Sequence, residues 1–361
     1  MLPFFYSVSS SVIKCAGPGL VARAAPKSTK IYWQIGLFKG NEFLAIVLLD
    51  QKSQNFSFGV AWGHGMSDED NRYGGISQDE LCRQLNVEVT IDDLPGYLKE
   101  AATLSERARK THPGQYNLAY GGDEIQLLDI FAPKDADNLP VLIDIHGGGW
   151  RAGSKNIRSL AAPAINDVGV LWVPIDYGLA PDYTIDQIVE HARAAVAWVY
   201  RNITAYGGDP ENIYVSGNSA GGHLTGALLM PGWHQNHGLS EQVIKGACAM
   251  SGVFDLQALV HAGPGHNDDL RMDLATARGH SPLFHLPDSG CPLIIAVGEP
   301  EPDEFRLQSR IFFEAWTSRG LPAQEIIVPD AHHFAMSRQL SLPESAVFEA
   351  VREMILGTPT P

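Results

Sequence analysis

The sequence predicts an α/β protein with a mostly parallel central sheet and helices on both faces. From about residue 125 onward, short apolar segments alternate with segments of helical periodicity. Short apolar strands that alternate with helices are typical of a sheet buried on both faces. Because crossovers between parallel strands are right-handed, the carboxyl ends of these strands share one edge, where ligands bind in such sheets.

The individual elements are predicted in order along the chain. Residues 77–111 are expected to be helical, with a capping box of Ser77 and Glu80, a division into two helices at Pro95, and an end at Pro113. The helix with the clearest apolar face spans residues 185–206. The other predicted helices are 221–230, 305–319 and 344–355, and the predicted strands are 125–131, 141–145, 170–175, 213–216, 245–250, 293–297 and 325–328. Residues 257–290 are less regular and are expected to form a cap or loop over the site.

The composition indicates a folded protein that binds neither nucleic acid nor membrane. Apolar residues make up 45% of the 361 residues, which supports a sizeable core. The formal net charge is -15 without a basic stripe, and no apolar run is long enough to span a bilayer. The four cysteines are far apart and form no CxxC pair, so we expect no disulfide framework and no zinc site, and a reducing compartment is favoured.

The strongest chemical signal is the pentapeptide Gly217-Asn218-Ser219-Ala220-Gly221, a G-x-S-x-G match between a predicted strand and a predicted helix. In this context a sharp turn projects the serine hydroxyl from the end of the strand, and its small neighbours avoid clashes. The helix N-terminus adds partial positive charge where an oxyanion would develop. Ser219 is therefore the candidate nucleophile; the alternative is a Ser/Gly-rich turn without catalysis.

A second signal, His146-Gly147-Gly148-Gly149-Trp150, directly follows the predicted strand 141–145. Loops of this HGGG type form oxyanion holes in lipases and esterases. The backbone amides of Gly147 and Gly148, together with that of Ala220, are the predicted donors, and His146 is expected to hold the loop. A plain glycine-rich turn is the alternative, and a phosphate-binding loop is disfavoured because no G-K-S/T follows.

A serine nucleophile needs a general base and an acid that orients the base, in the chain order Ser, acid, His for this kind of sheet. Four carboxylates follow the predicted strand 293–297, and two histidines follow the strand 325–328. Both clusters can reach the edge that carries the serine, and the spacing leaves the choice within each cluster open. The candidates are Glu299, Glu301, Asp303 and Glu304 for the acid, and His332 and His333 for the base.

Seven further histidines are expected at surface or loop positions, since no HExxH or equivalent metal-binding spacing occurs among them. They are His223, His234, His237, His261, His266, His280 and His285.

Together these motifs resemble the α/β-hydrolase superfamily, and within it the kynurenine formamidase (arylformamidase)-like group, from about residue 73 to 356. HGGGW and GNSAGG would fit hormone-sensitive-lipase-like esterases equally well. The stretch Glu304-Phe305-Arg306-Leu307-Gln308-Ser309 favours the formamidase group. The other stretches that share the resemblance are Tyr177-Gly178-Leu179-Ala180-Pro181, Ser251-Gly252-Val253-Phe254-Asp255-Leu256, Gly298-Glu299, and the run from Tyr73-Gly74-Gly75 to Gln84-Leu85-Asn86.

The resemblance implies roles for individual residues. The acid of the group stands three residues after the glycine that ends the strand, which is the position of Glu301, and the histidine precedes a phenylalanine, which is the position of His333. Many members have aspartate as the acid, so Asp303 is the alternative. Gly149 stands where the group often has a bulky residue, and this departure leaves a general esterase open.

The resemblance also implies the reaction. Ser219, His333 and Glu301 would act as the triad of a serine hydrolase that cleaves an aryl formamide such as N-formylkynurenine to formate and the free amine, a step of tryptophan catabolism. The alternatives are a carboxylesterase for short acyl esters and a non-enzymatic binding protein. Trp150 and Tyr177 are candidates for an aromatic wall of the substrate pocket, although core packing explains them equally well. We expect a small-molecule substrate as the partner and no cofactor or metal, and a homodimer is left open.

The charge distribution predicts a boundary near residue 65. Residues 1–65 are expected to be an N-terminal extension and residues 66–361 the α/β-hydrolase catalytic domain. No acidic residue precedes Glu42, and the first 30 residues are basic and rich in Ser and Ala, as in a mitochondrial transit peptide. A segment that the fold does not need and a secretory signal are the alternatives. A cytoplasmic location is expected, or a mitochondrial one if residues 1–30 are a targeting signal. The apolar runs 43–49 and 56–62 are expected to pair as strands.

Overall fold

The chain divides by its contacts into two units, Met1–Arg72 and Tyr73–Pro361. The domain boundary expected near residue 65 stays a prediction. The computed structural model describes residues 30–37, 43–50, 56–59, 73, 75–112 and 114–357.

The first unit contains an antiparallel sheet of three strands in the order β1-β2-β3. These are β1 (Lys30–Leu37), β2 (Phe43–Asp50) and β3 (Phe56–Gly59). The predicted pairing of the two apolar runs is confirmed in the backbone, where Val47 lies opposite Phe58. Residues 1–29 of the predicted leader and residues 60–62 of the second apolar run lie outside the described residues.

The second unit begins with two helices, α1 (Gln78–Leu85) and α2 (Leu94–Thr111). Ser77 caps α1 by accepting a hydrogen bond from the amide of Glu80, as expected. The helical segment divides before Pro95, which stands in the first turn of α2, where the missing amide hydrogen leaves no helical bond unmade.

Eight strands form the main sheet, in the order β11-β10-β9-β8-β6-β7-β5-β4. Neighbours from β7 to β11 are parallel, whereas β4 and β5 join the β7 edge in antiparallel pairs. The strands are β4 (Gly114–Ala119), β5 (Leu127–Phe131), β6 (Leu139–Ile145), β7 (Leu171–Ile175), β8 (Gly208–Asn218), β9 (Ile244–Met250), β10 (Leu293–Gly298) and β11 (Ala323–Val328). The mostly parallel sheet is therefore confirmed, and the one strand of this sheet that the sequence did not predict is β4.

Two apolar cores cover the two faces of this sheet. Along β6, Ile143 belongs to one core and its neighbour Leu142 to the other, because successive side chains of a strand point to opposite faces. The remaining helices are α3 (Ala162–Asp167), α4 (Ile185–Asn202), α5 (Ala220–Leu228), α6 (Gln257–Ala262), α7 (Leu274–Gly279), α8 (Asp303–Ser318), α9 (His333–Met336) and α10 (Ala346–Leu356). No described helix combines the length and the apolar character that crossing a bilayer requires.

Candidate active site

Ser219 lies in the sharp turn between the end of β8 and the start of α5. Its backbone has φ 55° and ψ -120°, a left-handed conformation that is strained for a residue with a side chain. The neighbouring glycines make the turn possible, since a Cβ atom at Gly217 would lie 2.4 Å from the carbonyl oxygen of Gly221. A Cβ at Gly221 would lie 2.0 Å from the carbonyl oxygen of Ile145. The local sequence thus forces the serine to the carboxyl edge of the sheet.

His333 and Glu301 form a buried hydrogen-bonded pair at the same edge. His333 follows β11 and Glu301 follows β10, and the His333 Nδ1 lies 2.6 Å from Glu301 Oε2. The other carboxylate oxygen accepts hydrogen bonds from the Ser251 hydroxyl at 2.5 Å and from the Gly298 amide at 2.8 Å. A carboxylate in these contacts places the proton of the imidazole on Nδ1, which leaves Nε2 as a base.

The segment that follows β9 connects this pair with Ser219. The amide of Ser219 donates to the carbonyl of Met250 at 2.9 Å, and the next residue, Ser251, is the one that donates to Glu301. No hydrogen bond joins the Ser219 hydroxyl to His333 among the described residues. Catalytic contacts of this kind are often long before substrate binds, so the two side chains remain candidates for one triad.

The other acid and base candidates lie outside this hydrogen-bonded pair. Asp303 begins α8 with an exposed side chain that pairs with Arg306 on the surface. Glu299 is exposed, and Glu304 accepts a hydrogen bond from Gln308 Nε2 at 2.7 Å. His332 caps α9 by accepting a hydrogen bond from the backbone. The geometry therefore favours Glu301 and His333 over these alternatives.

The loop His146–Trp150, called the glycine loop below, reaches the nucleophile turn. A Cβ atom at Gly147 would lie 3.1 Å from the Cβ of Ser219, and Gly148 has φ +118°, a conformation that favours glycine. Among the described residues, the amides of Gly147, Gly148 and Ala220 donate no hydrogen bond to another protein group. The three predicted donors are thus free to bind an oxyanion at this end of β6 and β8.

The ring of His146 supports the glycine loop from inside the protein. It stacks on the Tyr177 ring with 4.3 Å between centroids, and its Nδ1 lies 2.7 Å from the carbonyl oxygen of Gly147. The Tyr177 hydroxyl donates to the carbonyl of His146 at 2.9 Å. Burial lowers the pKa of His146 to about 4, so the ring is neutral near pH 7.

Comparison with known proteins supplies the family. A family model described as BD-FAE matches residues 128–303. Kynurenine formamidase of Salmo salar is 30% identical over 283 residues, which cover 75% of this chain and 94% of the relative. Kynurenine formamidase of Danio rerio is 31% identical over 277 residues, covering 73% of this chain and 92% of the relative. The chain belongs to the kynurenine formamidase family of α/β-hydrolases.

Solved structures agree with this fold. A crystal structure of a Silicibacter protein has a TM-score of 0.66 and 26% identity, covering 76% of this chain and 98% of the other. An esterase of Pyrobaculum calidifontis has a TM-score of 0.56 and 23% identity, with 76% and 95% covered. As a member of the kynurenine formamidase family, the chain is an enzyme, a serine hydrolase.

The stretch Glu304–Ser309, which favoured this family, supports the candidate triad. The Phe305 ring meets the His333 ring edge-on with 4.7 Å between centroids. Gln308 Oε1 accepts the amides of Phe254 and Asp255 at 2.7 and 2.8 Å, which fastens the segment that begins with Ser251. Ser251 was not among the predicted site residues, and the only available signal was its place directly after a strand in a stretch shared with the family.

Burial bears on the alternatives left open for two aromatic side chains and corrects one expectation about the histidines. Tyr177 is completely buried against His146 and Trp150 is also buried, which favours core packing for both, and a contact of either with substrate stays a prediction. His223 is fully buried on α5, whereas a surface or loop position was expected. His234 is 4% exposed but lies in the connection between α5 and β9, as expected for a loop position. The spacing of His223, four residues after Ser219, placed it in the first turn of the predicted helix and was the signal that could have located it.

An ion pair beneath the site connects two of its strands and the His333 helix. Arg158 Nε and Nη2 donate to the two oxygens of buried Asp144 at 2.5 and 3.0 Å. The Ser216 hydroxyl also donates to Asp144, at 2.8 Å, three residues before Ser219. Arg158 Nη1 donates to the carbonyl of Ser337, just after α9. The ion pair therefore links β6, β8 and the end of α9 below the candidate catalytic residues.

Proposed function

We propose that this enzyme hydrolyses aryl formamides such as N-formylkynurenine, releasing formate and the free amine. The observation that carries the proposal is the buried 2.6 Å hydrogen bond between Glu301 and His333 at the sheet edge where Ser219 follows β8. An acid, an imidazole oriented by it and a serine in a strained turn are the groups that acyl transfer needs. The choice of a formamide is supported by the two named formamidases, more than nine-tenths of whose length this chain matches.

In the proposed reaction, Ser219 Oγ attacks the formyl carbon while His333 Nε2 takes the hydroxyl proton. Glu301 keeps the proton on Nδ1 and stabilises the imidazolium that forms. The oxyanion is bound by the amides of Gly147, Gly148 and Ala220. His333 then gives its proton to the nitrogen of the leaving amine as the C–N bond breaks.

The second half of the reaction releases the formyl group from the enzyme. A water molecule loses its proton to His333 Nε2 and attacks the formyl ester of Ser219. Collapse of the intermediate returns the proton to Ser219 Oγ and frees formate. All proton transfers use one imidazole, so this chain's own residues are sufficient for the chemistry.

A panel of substrates tests the proposal. Wild-type enzyme should cleave N-formylkynurenine with a higher kcat/KM than p-nitrophenyl acetate, measured by formate release and by p-nitrophenol absorbance. The Ser219→Ala variant should lose both activities, by roughly 10⁵- to 10⁶-fold in kcat if Ser219 is the nucleophile. Brisk ester cleavage with negligible formamide cleavage would contradict the formamidase proposal, and unchanged turnover in Ser219→Ala would exclude Ser219.

A carboxylesterase for short acyl esters is the second candidate, and Gly149 favours it. Among the described residues other than its two chain neighbours, a Cβ atom at Gly149 would contact only the Arg151 side chain, at 3.7 Å, so the glycine loop is open at the position where relatives of this group often have a bulky residue. Esterase LipQ of Mycobacterium tuberculosis is 28% identical over 264 residues. The same substrate panel separates the two candidates.

A further inference from the structure

We propose that His223 is a positioning residue that holds the glycine loop in its oxyanion-binding arrangement through a hydrogen bond to Trp150. The activity measurements that test this proposal rest on the hydrolase function proposed above. His223 lies on α5, one turn after the nucleophile, and its amide donates to the Ser219 carbonyl at 3.0 Å. Trp150 is the last residue of the glycine loop, so this contact joins the loop to the helix that carries Ser219.

The contact is a buried hydrogen bond between the two rings. The indole Nε1 of Trp150 donates to His223 Nδ1 at 3.2 Å, and the rings meet edge-on with 5.2 Å between centroids. Trp150 is 3% exposed and His223 is completely buried. Water therefore does not compete for this bond, and a donor left without its acceptor here would cost more than at the surface.

A second hydrogen bond fixes the tautomer that the Trp150 contact requires. His223 Nε2 lies 2.8 Å from the carbonyl oxygen of His280, and a carbonyl can only accept. The ring proton is therefore on Nε2, which leaves Nδ1 as the acceptor for the indole. Burial also lowers the pKa of His223 to about 3, so the acceptor stays unprotonated near neutral pH. The His280 ring in turn lies 2.8 Å from Asp186 Oδ1.

The backbone of Trp150 explains why the glycine loop needs such an anchor. Trp150 has φ 59°, a conformation that is unfavourable for a bulky side chain and persists only where surrounding contacts impose it. Its carbonyl accepts a hydrogen bond from the amide of Ala180 at 2.8 Å, which anchors the backbone of Trp150. The hydrogen bond to His223 anchors its side chain. If the side-chain anchor is lost, the Gly147 and Gly148 amides shift relative to Ser219. A displacement of about 1 Å can cost a catalytic site roughly 100-fold in rate.

Replacing His223 with asparagine or with glutamine, which both carry a side-chain amide, tests its two hydrogen bonds separately. In His223→Asn the side-chain oxygen reaches the position of Nδ1 and can accept from Trp150. In His223→Gln the longer side chain places its amide near Nε2, where it can bond His280 but leaves the indole of Trp150 without an acceptor. We expect His223→Gln to lower kcat roughly 10- to 100-fold with little change in KM, since oxyanion binding acts in the transition state. His223→Asn should stay within a few-fold of wild type.

Further variants distinguish positioning from general destabilisation. Trp150→Phe removes the donor and should lower kcat like His223→Gln, and the double variant should be no worse than either single one. His234→Gln, at a buried histidine in the connection between α5 and β9, should lower the melting temperature without lowering kcat. Equal kcat losses in His223→Asn and His223→Gln, or a wild-type kcat in folded His223→Gln, would overturn the proposal.

A measurement without turnover separates this proposal from the proposed function. In ¹⁵N-labelled protein, the indole N–H resonance of Trp150, assigned with Trp150→Phe, should shift in His223→Gln and stay near its wild-type position in His223→Asn. If wild-type enzyme cleaves no formamide or ester, the proposed function fails while this spectrum still tests the hydrogen bond. An indole resonance that is the same in wild type and His223→Gln would refute the anchor itself.

Discussion

Replacing Glu301 with glutamine is the substitution that tests the candidate triad most directly. The side chain keeps its size but loses its charge. Its amide oxygen can still accept the Ser251 hydroxyl and the Gly298 amide, which lie 2.5 and 2.8 Å from Glu301 Oε1. The amide nitrogen then faces His333 Nδ1 and donates to it. The imidazole is driven to the tautomer with its proton on Nε2, which cannot accept a proton from Ser219.

The expected loss follows from this exchange of tautomers. Changing the acid of a serine protease triad to its amide lowers kcat about 10⁴-fold, and removing such an acid from another protease costs roughly 3 × 10⁴-fold. Glu301 is 2% exposed, so solvent water does not replace the missing acceptor. We expect Glu301→Gln to lower kcat by roughly 10³- to 10⁴-fold, or about 4 to 5.5 kcal/mol of transition-state stabilisation at 1.36 kcal/mol per factor of ten.

The matched control is Asp303→Asn, the same chemical change two residues away. Asp303 forms a surface ion pair with Arg306, and such pairs contribute less than about 1 kcal/mol to stability. Its kcat and KM for N-formylkynurenine should therefore match wild type within a few-fold. Rates are compared at one pH, with circular dichroism to show that both variants are folded. Equal losses in the two variants, or a full rate in Glu301→Gln, would refute the assignment of Glu301 as the acid.

Two further predictions concern stability. Arg158→Ala leaves Asp144 as a buried charge without its partner and should lower the free energy of unfolding in urea by about 3–5 kcal/mol, whereas Arg352→Ala, at a surface ion pair, should cost less than about 1 kcal/mol. Burial lowers the pKa of His146 to about 4 and of His223 to about 3, so the unfolded chain takes up protons near pH 6.5 that the folded chain does not. Stability should fall as the pH drops from 6.5 to 4, by about 1.4 kcal/mol per unit for each histidine, and urea unfolding with a flat pH dependence there would contradict this.

The fold was largely predictable because its signals are local. Strands such as β6 and β10 are buried on both faces and therefore appear as short apolar runs between helices. The strand β4 was missed because it lies at the edge of the sheet, where partly buried residues alternate with exposed ones. Its pattern depends on one covered face rather than two, and the segment Gly114–Ala119 shows no continuous apolar run.

What the sequence by itself determined about the site is the part that lies within one strand, turn and helix. The motif around Ser219 and the glycine loop each specify their own backbone, since glycine is needed wherever carbonyl oxygens approach within the reach of a Cβ atom. The spacing of residues within one element could not distinguish among the neighbouring carboxylates and histidines. The family resemblance pointed to Glu301 and His333, but only the tertiary structure shows that these side chains meet, 32 residues apart in the chain, and that His223 faces inward to Trp150. Those contacts depend on how separate strands and helices pack against one another, and no local pattern encodes that packing.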